Sequence, residues 1–239
     1  MSGVPPLAQR VEALPWEQLE RDLWLFGAAK TPPLLTPQEC EEVRSLYREE
    51  ERFRKTVVMA RHNFGEGEYR YFAYPLPPLV QALRETLYGH LAPVASAWAQ
   101  ALRENTAYPA TLEGFLARCR SAGQHLPTPL LLTYGAGGWN ALHQDLYGDI
   151  AFPLQVTCFL SRPDTEYQGG EFLLVEQRPR AQSRGEAFVT AQGELVIFAT
   201  RYRPLRGVRG YLRAALRHGV GRVRSGARWT LGIVFHDAR

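Results

Sequence analysis

The spacing of apolar residues divides the chain into two halves. Around residues 15–27 (PWEQLERDLWLFG), Trp16, Leu19, Leu23 and Phe26 recur at helical intervals, and Gly27 stands where such a helix would stop. In TPPLLTPQECEEVRSLYREEERF, Thr36 has the character of an N-cap, Pro37 follows at the first helical position, and Glu39 stands three residues after the cap. That capping-box pattern predicts a second amphipathic helix. Residues 79–104 and about 110–122 also read as helices, separated near Tyr108-Pro109. From Pro127 onward the period changes. LLLTY (130–134), LQVTCFL (154–160), GEFLLV (170–175), ELVIFA (194–199) and WTLGIVF (229–235) are strand-length runs with Gly, Pro and Asp between them. Many short strands in succession predict a sandwich or barrel, not a parallel sheet. The pattern thus predicts an α+β protein of one domain, 1–239, with a mainly helical layer over 1–126 supporting a β jelly roll over 127–239.

Composition narrows the class. With 239 residues, 45% hydrophobic and 22% charged, the chain matches an ordinary globular domain. No apolar run approaches the roughly 20 residues that span a bilayer. The opening MSGVPPLAQRVEALPW lacks the basic start and apolar core of a secretory leader, so a soluble, cytoplasmic protein is expected. Cys40, Cys119 and Cys158 are odd in number and far apart, which predicts buried thiols and no disulfide framework or CxxC zinc site. The net charge is +4, and only Lys30 and Lys55 among the basic residues are lysines. Arginine suits phosphate contacts, but a GC-rich genome writing Arg for Lys explains the bias equally well, so charge adds little.

The chemistry concentrates in LHQDLYGD. His143 and Asp145 are separated by one residue, so on a strand both project to one side while Gln144 points away. A second histidine from another strand would complete a two-histidine, one-carboxylate facial triad with three positions open, the arrangement of non-haem Fe(II) oxygenases. HxD alone is a weak signal; its surroundings strengthen it. Tyr134 ends an apolar strand nine residues earlier and is followed by GAGG. GGEF (169–172) and GELVIF (193–198) come next, and then RHGVGRVRSGARWTLGIVF, with His218, Gly226 and Arg228.

The order Tyr…HxD…GGEF…GELVIF…HxVxxVxxGxR resembles the Fe(II)- and 2-oxoglutarate-dependent oxygenases with a double-stranded β-helix (jelly-roll) core. LLLTYGAGGWNALHQD is similar to the AlkB-type nucleic-acid demethylases, and the tail is similar to the prolyl hydroxylases. The core resemblance covers about 128–236. A closer one, carried by RHNFGEGEYRYFAYPLP, PTPLLL, LHQDLYGD, FPLQV, EQRPRAQSR and RHGV…RSG…FHDA, extends over most of the chain. It is to a bacterial oxygenase family proposed to act on damaged nucleic acid. The resemblance implies His143, Asp145 and His218 as iron ligands, with 2-oxoglutarate and O2 as cosubstrates. It also implies that Arg228 holds the distal carboxylate of 2-oxoglutarate, consistent with the bidentate match of guanidinium to carboxylate. Thr230 lies two residues on, hence on the same strand face, and Tyr134 carries a donor; both are candidates to support that carboxylate.

Other features have blander readings beside the functional ones. His236 and Asp237 are adjacent and face opposite ways on a strand, which suggests a structural role. His62, His90 and His125 have no partner at ligand spacing. Arg178, Arg180 and Arg184 read as a solvated loop or as substrate contacts near the mouth of the jelly roll. The run from Arg61 to Tyr74 includes Tyr69 and Tyr71. It suits base stacking beneath a substrate lid, while packing between helices and sheet is the simpler reading. Three functions follow: oxidative demethylation of alkylated, single-stranded or damaged nucleic acid; hydroxylation of a prolyl or other protein side chain; and a catalytically silent jelly-roll binding module. The intact triad and Arg228 speak against the last.

Overall fold

The computed structural model describes residues 4–178 and 180–239; Met1–Gly3, and Pro179 within EQRPRAQSR, lie outside the described residues. The helical expectations hold closely. Trp16–Phe26 is a helix closed by Gly27 in the left-handed conformation (φ 75°). Pro37–Ser45 opens on the capping box read from the sequence: the Thr36 hydroxyl accepts from the Glu39 backbone N–H, and the Glu39 carboxylate accepts from the Thr36 N–H. Two short 3-10 turns, Leu46–Arg48 and Glu50–Arg52, then break the helical course. Pro78–Ala101 and Leu112–Ser121 complete the layer.

Two antiparallel sheets form the core. The larger runs in the order Ala28–Lys30, Leu195–Ala199, Leu154–Phe159, Arg228–Ile233, Leu130–Tyr134, Glu68–Phe72, Phe53–Val58. The smaller runs Arg184–Phe188, Phe172–Gln177, Gly210–Val220, Trp139–His143, Gly65–Glu66, with Tyr202–Gly207 also paired to Gly210–Val220. Helices predominate in the first half, but four of its segments, Ala28–Lys30, Phe53–Val58, Gly65–Glu66 and Glu68–Phe72, enter these sheets. Phe53–Val58 and Glu68–Phe72 pair with each other, and Glu68–Phe72 also pairs with Leu130–Tyr134. The cause is visible in EYRYF: alternate residues are aromatic, and Tyr71 is buried on the cavity side while Phe72 is buried in the main core.

Strand alternation partitions the large sheet's faces. Leu131, Leu231 and Ile233 join a core with Leu83, Leu87, Leu91 and Trp98 of the long helix. Leu130, Leu132 and Tyr134 turn the other way, toward the smaller sheet. Each fully buried aliphatic side chain contributes about 1.5–3 kcal/mol, so this face holds the long helix against the sheet. A polar clamp fixes their relative placement. The buried Arg84 donates to the carbonyls of Val234 (3.0 Å) and Phe235 (2.9 Å) and to Asp237 (2.8 Å), and Tyr74 also donates to Asp237. Asp237 is thus structural, as its position suggested.

Candidate active site

His143 and His218 are direct cross-strand partners, His143 ending Trp139–His143 and His218 lying within Gly210–Val220. Paired residues of an antiparallel ladder share a face, and the two imidazoles stand 4.1 Å apart between ring centroids. Asp145 lies two residues beyond the strand end and not on the strand as the spacing suggested, yet the alternation persists. Gln144 turns away and donates to the Leu216 and Arg201 carbonyls (2.8 and 3.2 Å). Asp145 faces both histidines, with Oδ1 3.5 Å from His143 Nε2 and Oδ2 3.2 Å from His218 Nε2. Two ligand atoms each about 2.1 Å from one ion, at right angles, stand roughly 3 Å apart, so the set fits a single octahedral cation. The three ligand atoms all lie within 4.8 Å of one another. His143 Nδ1 donates to the Ala141 carbonyl (2.7 Å), which leaves the Nε2 lone pair for a metal.

Burial opposes ionisation of Asp145, but His143, His218 and the Tyr147 hydroxyl outweigh it and hold its carboxyl well below the usual range. Burial, reinforced by His143, pushes the His218 imidazole down despite Asp145. Both groups are therefore in ligand form, carboxylate and neutral imidazole, at neutral pH.

The triad opens onto a cavity of about 240 Å³ between the two sheets. Arg228 lines it and is 1% exposed, yet none of its three guanidinium nitrogens has a hydrogen-bond partner among the described residues. Phe159 and Tyr134 lie 5.4 and 5.6 Å from the guanidinium carbon. A buried cation without a counter-ion is costly, and a carboxylate is the ligand whose geometry would satisfy it. Tyr134 is Arg228's cross-strand partner. Its hydroxyl accepts from Asn140 (3.3 Å), so its own proton remains available, and burial pushes its pKa up to about 12. Thr230 lines the same cavity. These residues fit a 2-oxoglutarate anion. Gly170 makes room for Arg228: its φ is 63°, and a Cβ there would meet Arg228 Cδ at 2.8 Å.

Tyr69 and Tyr71 line the cavity, whereas Arg61 lies outside its lining, exposed on the Met59–His62 turn. Arg178, Arg180 and Arg184 are also not among the lining residues. Arg178 is paired with Glu176 (2.5 Å), and Arg184 lies over Phe26. Among the lining residues that sequence reasoning did not single out, Tyr147 and Gln155 carry polar groups of consequence. Tyr147 donates to Asp145 Oδ1 at 2.7 Å, and its position two residues after Asp145 was a usable signal. Gln155 is 2% exposed, and its Nε2 has no partner among the described residues.

Similarity to known proteins agrees with this geometry. Residues 67–238 match the model of an oxygenase family described as catalysing oxidative methylation of damaged DNA. An uncharacterized protein of Mycobacterium tuberculosis (strain CDC 1551 / Oshkosh) is 50% identical over 167 residues, covering 70% of this chain and 72% of that protein. Among solved structures, a Burkholderia pseudomallei oxidoreductase of the 2OG-Fe(II) oxygenase family superposes with a TM-score of 0.56 at 14% identity, covering 100% of this chain and 95% of that one. A Pseudomonas putida prolyl-4-hydroxylase gives 0.54 at 15% identity, covering 94% and 99%. The chain belongs to the oxygenase family that its residues 67–238 match, and it has the jelly-roll fold of the Fe(II)- and 2-oxoglutarate-dependent enzymes.

Proposed function

We propose that this oxygenase oxidises alkyl groups on the bases of damaged nucleic acid, with iron on His143, Asp145 and His218 and 2-oxoglutarate anchored by Arg228. The observation that carries the reading is the buried, unpartnered Arg228 guanidinium in the same cavity as the triad. When bound, iron with 2-oxoglutarate and O2 supplies the oxidant for a substrate C–H bond and releases succinate and CO2. The chain's own residues do the rest. His143, Asp145 and His218 would hold the ion and leave positions free for the cosubstrates. Arg228 and the Tyr134 hydroxyl, with Thr230 beside them, orient the cosubstrate by its far carboxylate. The apolar walls, Phe172 and Phe198 among them, exclude water.

Nucleic acid is favoured by the damaged-DNA description of the family and by Phe64, Tyr69 and Tyr71 around the cavity, which offer stacking faces to an unpaired base. Hydroxylation of a protein side chain is the second reading, favoured by the likeness in fold to a prolyl-4-hydroxylase. The test incubates wild type and His143→Ala with N-methylated oligonucleotides and with peptide libraries. Formaldehyde released from oligonucleotides by wild type alone is the expected result. Peptides gaining one oxygen atom, with no formaldehyde from oligonucleotides, would overturn it in favour of the second reading.

A further inference from the structure

We propose that Tyr147 is a positioning residue for the Asp145 carboxylate and that Tyr71 is the next link of the same chain, an inference that rests on the triad as the metal site. Asp145 lies beyond the end of its strand, so no ladder hydrogen bond restrains it. A phenol chain supplies the restraint. A carboxylate can only accept, so Tyr147 donates its proton to Asp145 Oδ1 at 2.7 Å. The Tyr147 oxygen is then free to accept from the Tyr71 hydroxyl at 3.0 Å. Tyr71 is itself held on three sides. The Arg54 guanidinium carbon lies 4.6 Å from its ring centroid, and Tyr69 and Tyr147 both meet it edge-on at 87°.

The chain has a chemical consequence. Both oxygens face the histidines, Oδ1 3.5 Å from His143 Nε2 and Oδ2 3.2 Å from His218 Nε2, and the phenol's hold on Oδ1 favours Oδ2 for the metal. A one-oxygen carboxylate keeps three coordination positions open, whereas a two-oxygen one would consume a position that 2-oxoglutarate or O2 needs. The donors are neutral, so they orient Asp145 without cancelling the charge that binds the cation.

Titration of the apoprotein with Co(II), followed by its visible d–d spectrum, tests this without any substrate. Tyr147→Phe keeps the ring and loses the donor; it should weaken Co(II) binding by about tenfold or more and alter the d–d band. Tyr71→Phe, one link further out, should weaken it by roughly two- to fivefold, and Tyr69→Phe should leave it within about twofold. If Tyr147→Phe and Tyr71→Phe both bind Co(II) as wild type does, with an unchanged band, while His143→Ala loses the metal, the proposal falls and the triad stands. If wild type binds no Co(II), the triad reading falls and takes the proposal with it. Should Tyr147→Phe fail to fold, Tyr71→Phe decides by the same criterion.

Discussion

An arginine keeps its charge on burial, because neutralising a guanidinium is harder than solvating it poorly. Arg228 is in that position: burial lowers its pKa from the ordinary value, Tyr134, Tyr167 and Glu171 offset this only in part, and its guanidinium nitrogens have no hydrogen-bond partner among the described residues. Arg228→Met should therefore raise the melting temperature of the apoprotein, by the equivalent of about 1–3 kcal/mol, while abolishing the further stabilisation that 2-oxoglutarate gives wild type. Arg228→Lys keeps the charge and loses the fork; thermal shift against 2-oxoglutarate should show affinity reduced by roughly tenfold or more. A melting temperature that drops in Arg228→Met would mean that Arg228 has a structural partner. At this scale the site was largely legible. The one-residue spacing of His143 and Asp145 pointed to a shared side, and the ordered flanking motifs pointed to His218 and Arg228. Tyr147 and Gln155 were less legible, because a tyrosine or glutamine near a strand is an ordinary residue until the partner of its polar atom is known.

Single elements depend on clamps that unite distant segments. Arg84 sits in the long helix, yet three of its hydrogen bonds reach residues 234–237. Arg84→Met would leave Asp237 buried with Tyr74 as its remaining side-chain donor and the Val234 and Phe235 carbonyls without this partner. A loss of about 3–5 kcal/mol in urea unfolding is expected. Adding Asp237→Leu should recover a substantial part of it, since removing both charges relieves the stranded one. The helices with caps or clear periodicity were readable in advance, as Thr36, Glu39 and Gly27 illustrate. The hairpin of Phe53–Val58 and Glu68–Phe72 was not. Its first strand, FRKTVV, follows a charged amphipathic run without a Gly or Pro break, so local pattern favoured extending the helix. Pairing with Glu68–Phe72, itself paired with Leu130–Tyr134 some 60 residues further on, made it a strand.

Across the whole molecule, acid stability is set by groups buried in one protonation state. His236 is fully buried, accepts from the Phe152 backbone N–H at 3.3 Å, and burial pushes its pKa down to about 4. The unfolded chain takes up this proton near the ordinary value of about 6.5. Stability is therefore lost as pH falls from about 6.5 toward 4, amounting to about 2 kcal/mol by pH 5, and the loss levels off below the folded value. Urea unfolding of wild type and His236→Gln at pH 7 and pH 5 should show a smaller pH effect in the variant. Glu39, Glu166 and Glu176 have pKa values lowered below 4.5: burial opposes this, but their arginine partners and hydrogen bonds outweigh it. Their loss begins only as pH falls below that ordinary value. The two ligand histidines face each other across one rung of the smaller sheet, so a slip of a single residue would carry one imidazole to the opposite face. Metal capture can then serve as a proofreading step in folding, and the metal-to-chain ratio of a refolded sample would count the molecules whose strands are in register.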